Sequence, residues 1–193
     1  MKLDIIGTGL TAINYDWSST NDKWSVGSAY GAYGDRINTY FCMHLDQCID
    51  FKGEVINLGN FPISQIKEMF KTDTFNNSVS YMIAYALLRG YREINLHGID
   101  IEKKSEYEFE RPNVLMWIGI AKGLGVDIKS SSYLGQSPFN YGYDRDKIDF
   151  LVNVLEEREK AYRRHAEIKS GDEKNQWIGA MYATQKIIEF IKG

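Results

Sequence analysis

The sequence predicts an α/β protein: an open, mostly parallel sheet with helices on both faces, followed by a C-terminal helical hairpin. Three observations predict it. Short apolar runs alternate with helix-length amphipathic stretches through residues 3–133, and such alternation implies parallel pairing through right-handed crossovers. The chain opens on an apolar run that meets Gly7-Thr8-Gly9 at once, as a buried strand turning tightly into a helix does. From Asp144 onward the hydrophobic pattern is purely helical.

Taken in order, Leu3–Ile6 is the first strand, and Gly7-Thr8-Gly9-Leu10-Thr11-Ala12 carries it into a helix. Residues 16–38 are rich in Trp, Ser, Asn, Gly and Tyr without clean periodicity, so they read as loop with short helical pieces. Tyr40–Leu45 and Glu54–Leu58 read as the next strands, with a turn of helix over Asp46–Phe51. After Pro62, the residues Ile63, Ile66, Met69 and Phe70 recur at helical spacing. Asn76-Asn77-Ser78 precedes an apolar helix from Val79 to about Leu88, which Gly90 closes in the left-handed position that favours glycine. Glu93–Leu96 is a strand, and His97-Gly98-Ile99-Asp100 leaves its carboxyl end. Pro112 suits the first turn of a helix running to Lys122, with Gly123 and Gly125 as stop signals. Val126–Ile128 is the last strand.

The composition changes near residue 130. A Ser/Gly/Tyr/Asn loop runs to Tyr143, after which Ile148, Leu151, Leu155 and Tyr162 share one helical face. Trp177, Met181, Thr184, Ile188 and Ile191 share a face of a second helix, with the turn near Ser170-Gly171-Asp172. The expected organisation is a nucleotide- or phosphate-binding domain over 1–133, and a linker with a hairpin over 134–193. Two helices cannot bury both apolar stripes alone. The hairpin is therefore expected to pack on the sheet domain or on another copy, giving a homo-oligomer.

With 193 residues, 44% of them hydrophobic, the chain is long enough to bury a real core. No run of 18 apolar residues predicts a membrane span, and the charged opening Met-Lys-Leu-Asp is unlike a signal peptide. A cytoplasmic protein is expected. A net charge of −3 argues against an extended nucleic-acid surface. Cys42 and Cys48 have neither CxxC spacing nor a paired His cluster, so they read as reduced, buried thiols and not as metal ligands.

Three places could carry chemistry. Gly7-x-Gly9-x-x-Ala12 has the form of a phosphate-binding turn, whose glycines let the backbone approach an anion at a helix N-terminus. The bland alternative is a plain strand-to-helix turn. The acidic ribose-binding residue expected about 20 positions later is missing, which disfavours a nicotinamide dinucleotide; no tightly held organic cofactor is expected. Asn76, Asn77 and Ser78 are either a helix cap or a second anion site. The stretch from His97 to Arg111 is the most polar one bordering a strand end. There Asp100 and Glu106 could hold Mg²⁺ bridging phosphates or act as general base, and Arg111 could clamp a phosphate. The competing reading has Asp100 capping a turn and Glu106 in solvent. His97 reads as a hydrogen-bonded strand-end histidine and a ligand contact. His44, at another strand end, is a secondary catalytic candidate, and His165 lies on the charged hairpin surface. Trp17, Asn21, Trp24 and Tyr30 form either a lid that stacks on a base or a hydrophobic cover over the sheet. No Ser-His-Asp order, HExxH, Walker A lysine turn or zinc signature is present.

Ile5-Ile6-Gly7-Thr8-Gly9, the Asn77–Ala84 helix start and Ile94-Asn95-Leu96-His97-Gly98-Ile99-Asp100 resemble Rossmann-like proteins found in many phages, related to the 6-hydroxymethylpterin pyrophosphokinase MptE-like domain. Glu106-Tyr107, Arg111-Pro112 and Ile118–Ala121 extend the resemblance over roughly residues 3–133. The wider group includes pyrophosphoryl-transfer enzymes and domains resembling bacterial sialyltransferases. The resemblance implies a nucleotide or phosphate site built from the glycine turn, the Asn-Ser helix start and the Gly-x-Asp strand end. Two functions stay open: an Mg²⁺-dependent glycosyl- or pyrophosphoryl-transferase, or a non-catalytic phage binder that sequesters a nucleotide signal of host defence. A purely structural protein is a third.

Overall fold

A computed structural model describes residues 1–44, 51–101, 105–131, 134 and 147–192, the side chains of 105–108 and 147 excepted. The helical turn expected before Phe51, Cys48 and the Glu106 side chain lie outside the described residues. Six strands form one all-parallel sheet: β1 (Lys2–Ile6), β2 (Asp22–Val26), β3 (Thr39–Cys42), β4 (Glu54–Asn57), β5 (Glu93–His97) and β6 (Asp127–Ser130). Their order is β4-β3-β2-β1-β5-β6. The chain winds outward from β1 to β4, then returns to lay β5 on the other side of β1. The order of strand addition therefore reverses between β1 and β5, the position at which open α/β sheets hold ligands.

The helices are α1 (Tyr30–Tyr33), α2 (Ile63–Phe70), α3 (Ser78–Leu88), α4 (Ser105–Gly123), α5 (Lys147–Ile168) and α6 (Gly171–Lys192). This is the α/β, Rossmann-like architecture expected. Two compact units divide the chain, one of residues 1–9 and 18–135, the other of residues 10–17 and 136–193. No helix among the described residues is long and apolar enough to cross a membrane.

The two faces of the sheet differ in chemistry. Register places Leu3, Ile5, Trp24, Phe41, Ile94 and Leu96 on one face, all buried in a single cluster with α3 and α4. Burial of this kind is the main stabilising contribution, at ~25 cal/mol per Å² of apolar surface. The other face carries Asp4, Lys23, Ser25, Asn95 and His97 towards its centre and Tyr40 towards β4. It is covered by residues 18–38, where Tyr30 meets Tyr40 edge-on at 5.5 Å. Burial pushes the Tyr40 phenol up to about 12, and its hydroxyl donates to the Gly34 carbonyl at 3.0 Å.

Several expectations need correction. Residues 16–38 are not only loop, since β2 lies within them. The polar members of Asp-Lys-Trp-Ser-Val hide the strand, because they face the second side of the sheet and its end. Trp24 is core, 2% exposed and packed on Phe41, Tyr85 and Tyr91. Trp24 and Tyr30 therefore pack on the sheet itself. The first glycine turn leads to a five-residue 3-10 helix, Leu10–Asn14, not an α-helix. Pro112 sits inside α4 and does not begin it. Proline removes a donor and loosens the helix ladder just upstream; there the side-chain amides of Asn76 and Asn77 donate to the carbonyls of Phe109 and Glu110, at 3.3 and 3.2 Å.

In the second unit α5 and α6 are antiparallel, tied by Lys192–Glu156 at 2.7 Å and by Gln185 donating to Glu159 at 2.8 Å. The expected α6 face is the inward one, with Thr184 buried. The expected α5 stripe is partly wrong. Ile148 and Leu151 are 59% and 50% exposed, whereas Val152, Ala161 and Ala166 are buried. His165 is not a surface residue either. Its ring stacks on Trp177 at 4.5 Å, and burial lowers its pKa against an opposing hydrogen bond at the Leu10 backbone.

Candidate functional site

The site is built from the ends of β1 and β5. Both strands alternate in sequence, Lys-Leu-Asp-Ile-Ile and Glu-Ile-Asn-Leu-His, so each sends its polar members to one face. Parallel register pairs Asp4 with Asn95 and Ile6 with His97. Asp4 is 2% exposed. Its carboxylate accepts from Ser19 Oγ at 2.7 Å, Asn95 Nδ2 at 2.9 Å and Asn21 Nδ2 at 3.0 Å, and His97 Nε2 stands 3.8 Å from Oδ1. Burial alone would raise the Asp4 pKa, but the nearby His97 imidazole and hydrogen bonds from Asn21, Asn95 and Ser19 outweigh it and hold the carboxyl well below the usual range. Asp4 is therefore a buried anion. The His97 side chain is 25% exposed, so one end of this pair is sealed and the other reaches the surface.

Above it, the two strand-end turns press together. Gly7 N–H donates to the His97 carbonyl at 2.7 Å, and Gly9 N–H to the Gly98 carbonyl at 2.8 Å. A Cβ on Gly7 would stand 2.5 Å from the Gly98 oxygen, and one on Gly9 would stand 2.5 Å from Asp100 Oδ2. Glycine is required here because β5's turn fills the space. Gly98 itself sits at φ +63°, and Ile101 at φ +35°. A β-branched residue held there marks this segment as strained. On the carbonyl side, Ser25 Oγ donates to Ile6 O at 2.5 Å and the Tyr33 hydroxyl to Gly7 O at 2.6 Å.

These bonds change what the turn can do. Two of the amides expected to cradle a phosphate are engaged by β5 carbonyls, and the helix that follows in sequence is a short 3-10 turn without the aligned dipole of a longer α-helix. Thr8 between them is exposed. The Asn-Ser helix start is a cap: Asn77 Oδ1 accepts from Ser80 N at 2.9 Å, and Asn76 N donates to Asn113 Oδ1 at 2.9 Å. Ser78 opens α3 half-buried. These groups fasten α3 to the flank of α4.

The remaining candidates are dispersed. Asp100 meets the glycine turn and so belongs to the β1–β5 site. Arg111 is exposed, six residues and roughly 9 Å along α4 from its start. His44, also exposed, follows β3, three strand positions and about 14 Å across the sheet from β5. The Glu106 side chain lies outside the described residues. Among the described residues no group of three His, Cys, Asp or Glu side chains comes together. Asp4 is a site residue that sequence reasoning missed. The available signal was the shared alternation of β1 and β5, but only the register sets Asp4 beside Asn95 and His97.

No family model matches the chain, and no curated protein matches it. Among solved structures, the chain is similar to the sialyltransferase CstII from Campylobacter jejuni, in complex with the substrate analogue CMP-3FNeuAc. The likeness spans 67% of this chain and 80% of that one, at 15% identity and a TM-score of 0.36.

Proposed function

We propose that this chain binds a nucleotide or another phosphorylated small molecule in the crevice off the carboxyl ends of β1 and β5. His97, held by Asp4, moves a proton there in a glycosyl- or pyrophosphoryl-transfer step. The observation that carries this reading is the Asp4–His97 pair. A buried carboxylate kept ionised by four neighbours costs stability that an apolar pair would not, and its placement under a partly exposed histidine at the sheet's reversal point is what acid–base chemistry needs. The carboxylate would fix the imidazole's orientation.

A second reading, capture without chemistry, is favoured by one observation: the glycine-turn amides that would stabilise charge on a transferring phosphoryl group are already engaged. Mass spectrometry of small molecules released from purified protein, with and without Mg²⁺, separates the two. A nucleotide recovered intact after incubation supports capture. A recovered product whose formation is lost in His97→Asn supports transfer. If no nucleotide is released and none in a broad panel shifts the melting temperature, both readings fail.

A further inference from the structure

Ser131 follows β6, and its amide donates to the Leu96 carbonyl at 2.8 Å, a bond that belongs to the Leu96–Ser130 pair, the last of the ladder. Continued one residue past β6, that register brings Ser131 level with His97, on the face of Asp4, Asn95 and His97. Its hydroxyl oxygen is buried without a hydrogen-bond partner. Its neighbours on this face differ, since Ser25 is satisfied by the Ile6 carbonyl and Asn95 by Asp4. A buried hydroxyl without a partner is destabilising. For folding alone, alanine would serve better.

We propose that Ser131 is a ligand-contact residue of the β1–β5 crevice and that, together with His97, it holds an uncharged hydroxyl-bearing part of the ligand, the ribose of a nucleotide, while the phosphates lie away from the glycine turn. This rests on the nucleotide reading above. Charge selects the hydroxyl. Asp4 is a buried anion, the Asp100 carboxylate lies against Gly9, and the Gly7 and Gly9 amides are taken, so a phosphate would meet like charge and too few donors. A sugar hydroxyl donates and accepts at once, which suits a serine hydroxyl next to an imidazole.

Calorimetric titration with adenosine, guanosine, cytidine and uridine, their 5′-diphosphates and inorganic pyrophosphate tests this on the wild type and Ser131→Ala, with melting curves run in parallel. At least one nucleoside binds and pyrophosphate does not. Without ligand, Ser131→Ala melts at or above the wild-type temperature, yet it binds that nucleoside about tenfold more weakly. The 2′,3′-dideoxy form of the nucleoside binds the wild type with a similar loss, and Ser131→Ala adds nothing to it. A lower melting temperature with unchanged affinity makes Ser131 a structural hydroxyl and overturns the inference, as does pyrophosphate competing for the nucleoside site. If no nucleoside or diphosphate binds at all, the nucleotide reading falls, and this inference with it.

Discussion

The two faces of the sheet are made from the same strands and obey different rules. On the α3 side β1 and β5 present only apolar, buried residues at their centres, with Leu3, Ile5, Ile94 and Leu96 fully buried and Trp24 of β2 2% exposed. On the opposite side the same two strands carry Asp4, Asn95 and His97, with Ser19 and Asn21 brought in from the crossover. The first face holds the protein together. The second contains a buried ionised carboxylate whose hydrogen bonds are complete while its histidine partner opens outward, and it is the face that ends in the strained turn at Gly98–Ile101. Local departures from good folding chemistry concentrate at functional sites, so the difference between the faces locates the site better than the glycine turn does.

Substitutions at each face should separate stability from binding. The largest loss belongs to Trp24→Ala, which empties a core position; urea unfolding should show about 3–5 kcal/mol, with ligand affinity of the folded fraction unchanged. Asp4→Asn should cost about 2–3 kcal/mol at neutral pH and also remove turnover or ligand. Its pH profile is diagnostic. The folded pKa is depressed, so the Asp4 contribution is complete above the ordinary carboxylate value near ~4 and drains away as pH falls through the folded value. The gap between wild type and Asp4→Asn should therefore narrow below that point. A gap that stays constant down to pH ~2 would exclude an ionised Asp4.

Smaller effects test the turn and the cap. Gly9→Ala drives a methyl against Asp100 Oδ2 and the Gly98 oxygen, 2.5 and 2.6 Å away. It should cost about 1–3 kcal/mol and displace Asp100, which ligand titration would register as weaker binding. Asn77→Ala should cost about 1 kcal/mol as a lost cap and leave ligand affinity alone. Weaker nucleotide binding by Asn77→Ala would instead restore the helix start as an anion site.

The strands themselves were largely readable. Apolar runs at Leu3–Ile6, Glu54–Leu58 and Glu93–Leu96 are strands within a residue or two, because a strand buried on one face shows its period locally. β2 escapes such reading because its polar members serve distant partners. Ser25 donates to the Ile6 carbonyl of the neighbouring strand and Asp22 accepts from the Tyr91 hydroxyl, demands that local hydrophobic pattern does not display. Pro112 misleads for a related reason. The donors that meet the carbonyls next to it come from Asn76 and Asn77, more than thirty residues earlier in sequence.

Sequence alone determined the fold class, the hairpin and the chemical character of each strand end, since hydrophobic period, turn residues and caps act over a few residues. The tertiary structure decided what those ends do. Only the parallel register between β1 and β5 sets Asp4 under His97 and the Gly98 carbonyl against Gly7 and Gly9, turning an apparent phosphate cradle into a packed joint. A carboxylate's ionisation and an amide's freedom depend on which partners lie within about 3 Å, and those partners come from strands ninety residues apart in the chain.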